Sequence, residues 1–351
     1  MTPDHGPSGL GLQLVAPDGP ATIEEWFAPL LSSDRADWPE DPGWFLHERV
    51  ALLDQPGVRS YVLGVGRLDG AVVGCIQVGM PLIENTDSAD IELYVDPASQ
   101  HRGVGRALLA HAERIAAARG RIRLRATTDP PLHSPELGRR GRFARAAGYE
   151  PALEEARLDL ELPVEPARLD GLEEDARRFA PGYRFVTWSG PCPPACEAGR
   201  LEVGRGMSAD VPRGNLGAEP EEWDAARLRQ SERLTAAMDL ATVAVAAIAP
   251  AGTLVGFTQL GVPRATPSVA YQFDTAVLRA HRGHRLGLLL KLANARALGE
   301  QFPSTRRIVT HNGVSNHPMR RINDLLGFRL TGTRTVWQKQ LPRSPLRSAQ
   351  A

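Results

Sequence analysis

Long apolar runs are missing from these 351 residues, and so are the marks of a secreted or metal-stapled chain. No stretch of about 18 apolar residues exists that could cross a bilayer. Met1 to Gly9 is polar and lacks the apolar core of a signal peptide. Three cysteines, Cys75, Cys192 and Cys196, are too few for a disulfide framework. Cys192 and Cys196 bracket two prolines, with no second Cys or His pair at zinc spacing nearby, so the reading is a proline-stiffened loop and no metal. Lysine occurs only at 291 and 339, and arginine supplies the rest of 41 basic residues against 41 acidic ones. That neutral balance, with no basic aromatic face, argues against nucleic acid or an anionic membrane as partner. The expectation is a soluble, cytoplasmic chain of roughly two domains.

What the chain does have is a repeat. Glu92, Leu93, Tyr94 and Val95 lead into Gln100, His101, Arg102, Gly103, Val104, Gly105 and Arg106. At an offset of 182, Asp274, Thr275, Ala276 and Val277 lead into Arg282, Gly283, His284, Arg285, Leu286 and Gly287. Each copy reads as a strand running into a basic, glycine-bearing turn that opens a helix. The first N–H groups of a helix lack intrahelical partners and sit at the positive end of its dipole, so such a turn can hold a phosphate or pyrophosphate. Glycine lets the ligand approach the backbone and lets successive N–H groups converge. Leu108, Leu109, Ala112, Ile115 and Ala116 then fall on one helical face, with Gly120 as the stop. Leu289, Leu290, Ala293 and Ala297 repeat the stripe, with Gly299 closing it.

The spacing of Gln or Arg, two residues, Gly, one residue, and Gly resembles the turn of the GNAT superfamily of acyl-CoA N-acyltransferases. The resemblance covers about residues 10 to 162 and again 183 to 341. It implies an α/β fold of two tandem GNAT-like domains, each a central mixed β-sheet flanked by helices. It also implies that the turns hold the coenzyme A pyrophosphate and that backbone near Tyr94, Val95, Ala276 and Val277 meets the pantetheine arm. The co-substrate so implied is acetyl-CoA or another acyl-CoA. The family pattern carries an asparagine eleven residues before a closing glycine and a tyrosine four before it, the tyrosine protonating the departing thiolate. Before Gly148 those places hold Leu137 and Ala144; before Gly327 they hold Asn316 and Asn323. Asn316 and Asn323 are thus candidate pantetheine contacts, and Asn323 can also hold a water. His311, His317 and Tyr271 are the alternative proton sources.

Acyl transfer to an amine needs a proton acceptor, because an amine with a pKa near 10 is almost wholly protonated at pH 7. Glu92 and Asp274 stand at matched strand positions and are the candidate bases, with the C-terminal copy favoured as catalytic. The plain alternative is that both are strand carboxylates bonded to arginine. The acceptor is expected to meet the early helices and loops, around Trp26, Trp38, Trp44, Asp34, Asp37, Glu40 and Asp41, or Met207, Asp210, Trp223, Asp224, Arg227 and Glu232. Tryptophan with carboxylates suits a cationic amine. The expected function is transfer to a primary amine of a small molecule; a protein amine or a non-catalytic acyl-CoA-binding module are the alternatives. The chain is read as a monomer or homodimer. Residues 1–9 and 342–351 read as disordered ends and 163–182 as a linker built on a helix from Leu169 to Phe179.

Overall fold

A computed structural model describes residues 7, 9–16, 19, 21–134, 138–210 and 213–342. The expected disordered ends and Leu137 fall outside, or almost wholly outside, those residues. The first half runs β1 (Gly11–Leu14), α1 (Ile23–Asp37), α2 (Leu46–Leu53), β2 (Arg59–Leu68), β3 (Ala71–Pro81), β4 (Ser88–Val95), α3 (Val104–Ala118), β5 (Arg123–Thr128), α4 (Arg139–Ala146) and β6 (Glu150–Glu161). After α5 (Pro166–Arg177) come β7 (Arg184–Ser189), α6 (Pro194–Asp210), α7 (Ala225–Ala237), β8 (Leu240–Ile248), β9 (Leu254–Pro263) and β10 (Val269–Val277). The chain closes with α8 (Leu286–Gln301), β11 (Arg307–Gly313), α9 (His317–Leu326) and β12 (Arg329–Gln340). Repeat and element order agree: β4–α3–β5–α4 corresponds to β10–α8–β11–α9.

Two packing units result. The first comprises the chain up to Leu153, Asn215–Ala218 and the chain from Thr335; the second comprises Glu154–Gly214 and Glu219–Arg334. These bounds differ from breaks at 162, 182 and 341, and strand pairing explains why. β6 pairs antiparallel with β11, Leu160 opposite Ile308, and its Leu158 and Leu160 enter the core of the second unit. β12 pairs antiparallel with β5 through Thr335–Gln340, and its Trp337 enters the core of the first. Each half of the chain therefore supplies its last strand to the other unit. The segment expected as a linker contains α5, which belongs to the second unit: Arg168 donates to Leu325 O at 2.9 Å and Arg296 pairs with Asp170 at 2.7 Å.

In the first unit the strand order is β1-β2-β3-β4-β5-β12, antiparallel except for β4 with β5. In the second, β6-β11-β10-β9-β8-β7 is antiparallel except for β10 with β11. The β2–β3 hairpin turns on Asp69 and Gly70, both at positive φ as a tight two-residue turn requires. One sheet face of the first unit packs on α3 through Ile76, Val78, Ile91 and Val95; the other carries Cys75 and Tyr94 against Trp26, Phe27 and Leu30 of α1.

Two helices depart from expectation. The segment from Cys192 opens α6 rather than a loop: Pro194 fits a first helical turn, where no N–H is needed. Its apolar stripe is interrupted by glycines that permit close packing. A Cβ on Gly199 would sit 2.5 Å from Leu254 Cβ, and one on Gly204 2.9 Å from the Trp223 ring. Gly299 does not stop α8, which runs on to Gln301 and is buried nearly all round.

Candidate active site

Both glycine-bearing turns have the same backbone. His101 and Gly103 have φ of 61° and 82°; their counterparts Gly283 and Arg285 have 86° and 53°. The two left-handed positions are conserved between the copies while the glycine has moved from one to the other, so Arg285 does not spoil the turn. Arg285 holds that conformation at a cost of about 1–3 kcal/mol, and its guanidinium packs over the Phe179 ring, 3.9 Å from the centroid. The Arg285 cation is thus laid on an aromatic face. His284 is likewise committed, with Nδ1 2.8 Å from Phe179 O.

The first residue of each motif ties the turn to the strand before it. Gln100 Nε2 donates to Val95 O at 3.2 Å, and Arg282 Nε donates to Val277 O at 3.2 Å. Arg282 and Arg279 both pair with Asp210, and Arg139 reaches Gln100 and His101. Arg102 and Arg106 are exposed. Val104 and Leu286 bury their side chains, leaving their backbone N–H groups to the turn. A Cβ on Gly287 would come 3.0 Å from Ile322 Cδ1 on α9, while one on Gly105 would meet nothing closer than 3.6 Å. Two helix N-termini, each preceded by a left-handed residue and opened by a glycine-bearing turn, fit a diphosphate.

Beside each turn the sheet opens. β4 and β5 pair only from Ser88–Arg123 to Ile91–Ala126, and β10 and β11 only from Val269–Arg307 to Tyr271–Val309. Past those points the parallel neighbours have no ladder, and the gap adjoins Glu92–Val95 or Gln272–Val277. The second unit adds a β-bulge: Gln272 faces Leu260 and Thr275 faces Thr258, so Phe273 and Asp274 together oppose Gln259. A bulge bends a strand and re-aims side chains. Gln272 and Thr275 bond Thr258 at 3.1 and 2.8 Å, whereas Phe273 lies over Gly261 and Asp274 reaches Arg200 of α6. Consecutive residues thereby share the face toward α6. β4 has no such irregularity.

The two candidate bases sit differently. Glu92 accepts from Arg49 Nη2 at 2.7 Å, Gln77 Nε2 at 2.8 Å and Tyr94 Oη at 3.2 Å. Arg49 is buried between the Trp26 and Trp44 rings. Nearby Asp34 is pushed up to about 6, chiefly by burial, against the pull of Arg49. Among the described residues Asp274 has one long contact, 3.5 Å from Arg200 Nη2, with its side chain 39% exposed. Burial of its surroundings raises its carboxyl above the usual range and Arg200 only partly offsets this. Arg200 is itself buried, 4.8 Å from the Trp223 centroid and 4.1 Å from that of Phe257. Arg49 and Arg200, which sequence reasoning missed, come from non-equivalent helices to equivalent carboxylates. Their only sequence signal is the tryptophans. Those rings stack on the protein's own arginines instead of standing open to an acceptor. Several acids expected at the acceptor are also engaged: Asp37 with Arg140, Asp224 as the cap of α7, and Glu232 with Cys192 N and Arg229.

At α9, Asn316 is the helix cap, its Oδ1 accepting from Met319 N at 3.3 Å. Asn323, at the tyrosine place, is fully buried: Lys291 Nζ donates to its Oδ1 at 2.5 Å and its Nδ2 donates to Asn312 Oδ1. Lys291 is buried under the Phe328 ring, and burial pushes its ammonium down to about 7. His317 is exposed at the start of α9. The corresponding place in the first unit is Ala144, buried on α4. Among the described residues no three His, Cys, Asp or Glu side chains cluster as metal ligands, and no helix is long and apolar enough to cross a membrane.

Two turns with one backbone, each beside an opened parallel strand pair, define a duplicated acyltransferase fold. Residues 21–136 match the Acetyltransferase (GNAT) family, and over its whole length the chain has the fold of tandem GNAT proteins. The chain is similar to a tandem GNAT protein from the clavulanic acid biosynthesis pathway, with 26% identity, a TM-score of 0.75, and 96% of this chain and 100% of that one covered. It shares the fold of a GCN5-related N-acetyltransferase from Sphaerobacter thermophilus, at 16% identity, a TM-score of 0.66 and coverage of 97% and 99%. It also shares that of a GCN5-related glucosamine N-acetyltransferase region in a fungal multi-domain GH3 beta-N-acetylglucosaminidase, at 12% identity and a TM-score of 0.66, covering 95% of this chain and 38% of that one. No curated protein matches the chain.

Proposed function

We propose that the chain transfers an acyl group, acetyl in the simplest case, from acyl-CoA to a primary amine of a small molecule, and that the second unit carries the chemistry. The observation that carries this is the β10 bulge, which sets Asp274 beside the end of the β10–β11 ladder with a raised carboxyl pKa and a single arginine contact. Acyl-CoA supplies the activated carbonyl and a thiol leaving group. The N–H groups opening α8 hold the diphosphate, and β10 backbone from Thr275 to Val277 lies along the gap where the arm would run. Asp274 takes the proton of the attacking amine, directly or through one water, and Arg200 keeps the carboxyl from pairing elsewhere. No hydroxyl stands at Asn323 to protonate the thiolate, so that proton comes from solvent.

Unit 1 supports binding without chemistry. Glu92 already accepts from three donors, and Ala144 offers no acid. A small-molecule acceptor is further supported by the clavulanic acid pathway origin of the tandem GNAT protein to which the chain is 26% identical. The test is release of free thiol from acetyl-CoA over a panel of small amines and amine-bearing peptides. Amine-dependent release with a small amine is expected. Release with peptides alone would move the acceptor to a protein amine, and none with any amine, despite coenzyme A binding, would leave only the binding module.

A further inference from the structure

The buried chain Lys291–Asn323–Asn312 links α8, α9 and β11 at the place where the family pattern puts its acid. In the charged form of Lys291 its polarity is fixed by elementary donor and acceptor counts. A lysine ammonium has only donors, so Asn323 must turn its Oδ1 to Lys291 Nζ. The Asn323 Nδ2 then points at Asn312, which can only accept through its Oδ1. Asn312 is left with its own Nδ2 unused by any described residue. It sits on β11 three residues beyond Val309, the last residue paired with β10, and so beside the gap. Its backbone is held from the other side by pairing with Ala156.

We infer that Lys291 is a positioning residue that sets the direction of both amides, so that Asn312 offers an N–H donor to a carbonyl oxygen of the acyl-pantetheine arm in the β10–β11 gap. The inference rests on the placement of acyl-CoA in the second unit. Burying a lysine without an ion-pair partner is expensive, and a merely structural contact between α8 and α9 would be better made by an apolar side chain. Keeping the cation makes sense if its directionality is what matters.

Asn323→Asp separates the two roles. A carboxylate there accepts from Lys291 as an ion pair, but it cannot donate to Asn312. Asn312 must then rotate to donate its Nδ2 inward and present oxygen to the gap. The measurement is calorimetric affinity of the full chain for coenzyme A and for acetyl-CoA, in a Gly103→Asp background that places a repelling charge at the first turn. The expected result is a loss of about tenfold in affinity with the melting temperature held or raised. Loss with both ligands identifies a pantetheine amide carbonyl, and loss with acetyl-CoA alone identifies the thioester oxygen. Unchanged affinity for both overturns the inference. No binding in the background variant itself overturns the placement in the second unit instead, and this inference with it. Should Asn323→Asp fail to fold, Lys291→Met answers the same question: it must weaken binding, and adding Asn312→Asp must weaken it no further. Full additivity of those two would refute the coupling.

Discussion

Replacing Asp274 by asparagine leaves Arg200 an oxygen to meet at the same 3.5 Å position while removing the proton acceptor. The magnitude follows from the amine. With a pKa near 10, only about one amine in a thousand is neutral at pH 7. Without a base the variant must wait for that fraction. General-base removal costs about 10²–10⁴-fold, and in Asp274→Asn the deficit should shrink by about tenfold for each pH unit between 7 and 9 as free amine accumulates. The wild type should be flatter over that range and should lose activity on the acid side as the carboxyl protonates. Because burial raises this carboxyl, that limb lies above the ordinary carboxylate range. The assay is kcat/KM by thiol release from pH 5 to 9.5, with thermal melts to show that both proteins stay folded. Parallel profiles for the two proteins would remove Asp274 as the base.

Other outcomes follow from the same structure. Asp34 is pushed up to about 6, so the folded state favours its protonated form; the stability it contributes is full below about pH 4 and is lost as pH rises to about 6. Asp34→Asn should stabilise the protein by up to about 3 kcal/mol at pH 7 and by little at pH 4, as urea unfolding will show. Arg49→Met removes the buried partner of Glu92 and should cost about 3 kcal/mol, whereas Glu92→Gln, which can still accept from Arg49, should leave turnover within about threefold; a hundredfold loss in Glu92→Gln would move the chemistry to the first unit. Lys291 is pushed down to about 7, so its burial penalty is complete below that pH and fades as pH rises toward the unfolded value. Lys291→Met should therefore raise the melting temperature most at pH 6 and least at pH 10.

The period of α3, with Leu108, Leu109, Ala112 and Ala116 on one face, was legible because an amphipathic helix writes its packing into the spacing of its apolar residues. The duplicated turn was legible from basic residues and glycines recurring at matched offsets, although only one of the two left-handed positions in each copy is a glycine. α6 was not, because Gly199 and Gly204 serve close approach to Leu254 and Trp223, and a glycine chosen for a distant contact resembles a helix breaker. The exchange of β6 and β12 is a matter of partners, and both strands carry the same alternation whichever sheet receives them. The bulge at Phe273 and Asp274 leaves no mark in the strand's own composition. Arg49 and Arg200 lie 43 and 74 residues from the carboxylates they meet, and nothing in the residues between them announces the pairing.

The most direct measurement of the account places one negative charge at the same left-handed position of each turn, Gly103→Asp and Arg285→Asp, both tolerable because aspartate accepts that backbone better than most residues. Amine-dependent thiol release should survive in Gly103→Asp and fall by at least tenfold in Arg285→Asp, with both proteins folded. Activity lost in Gly103→Asp and retained in Arg285→Asp would contradict the assignment of catalysis to the second unit.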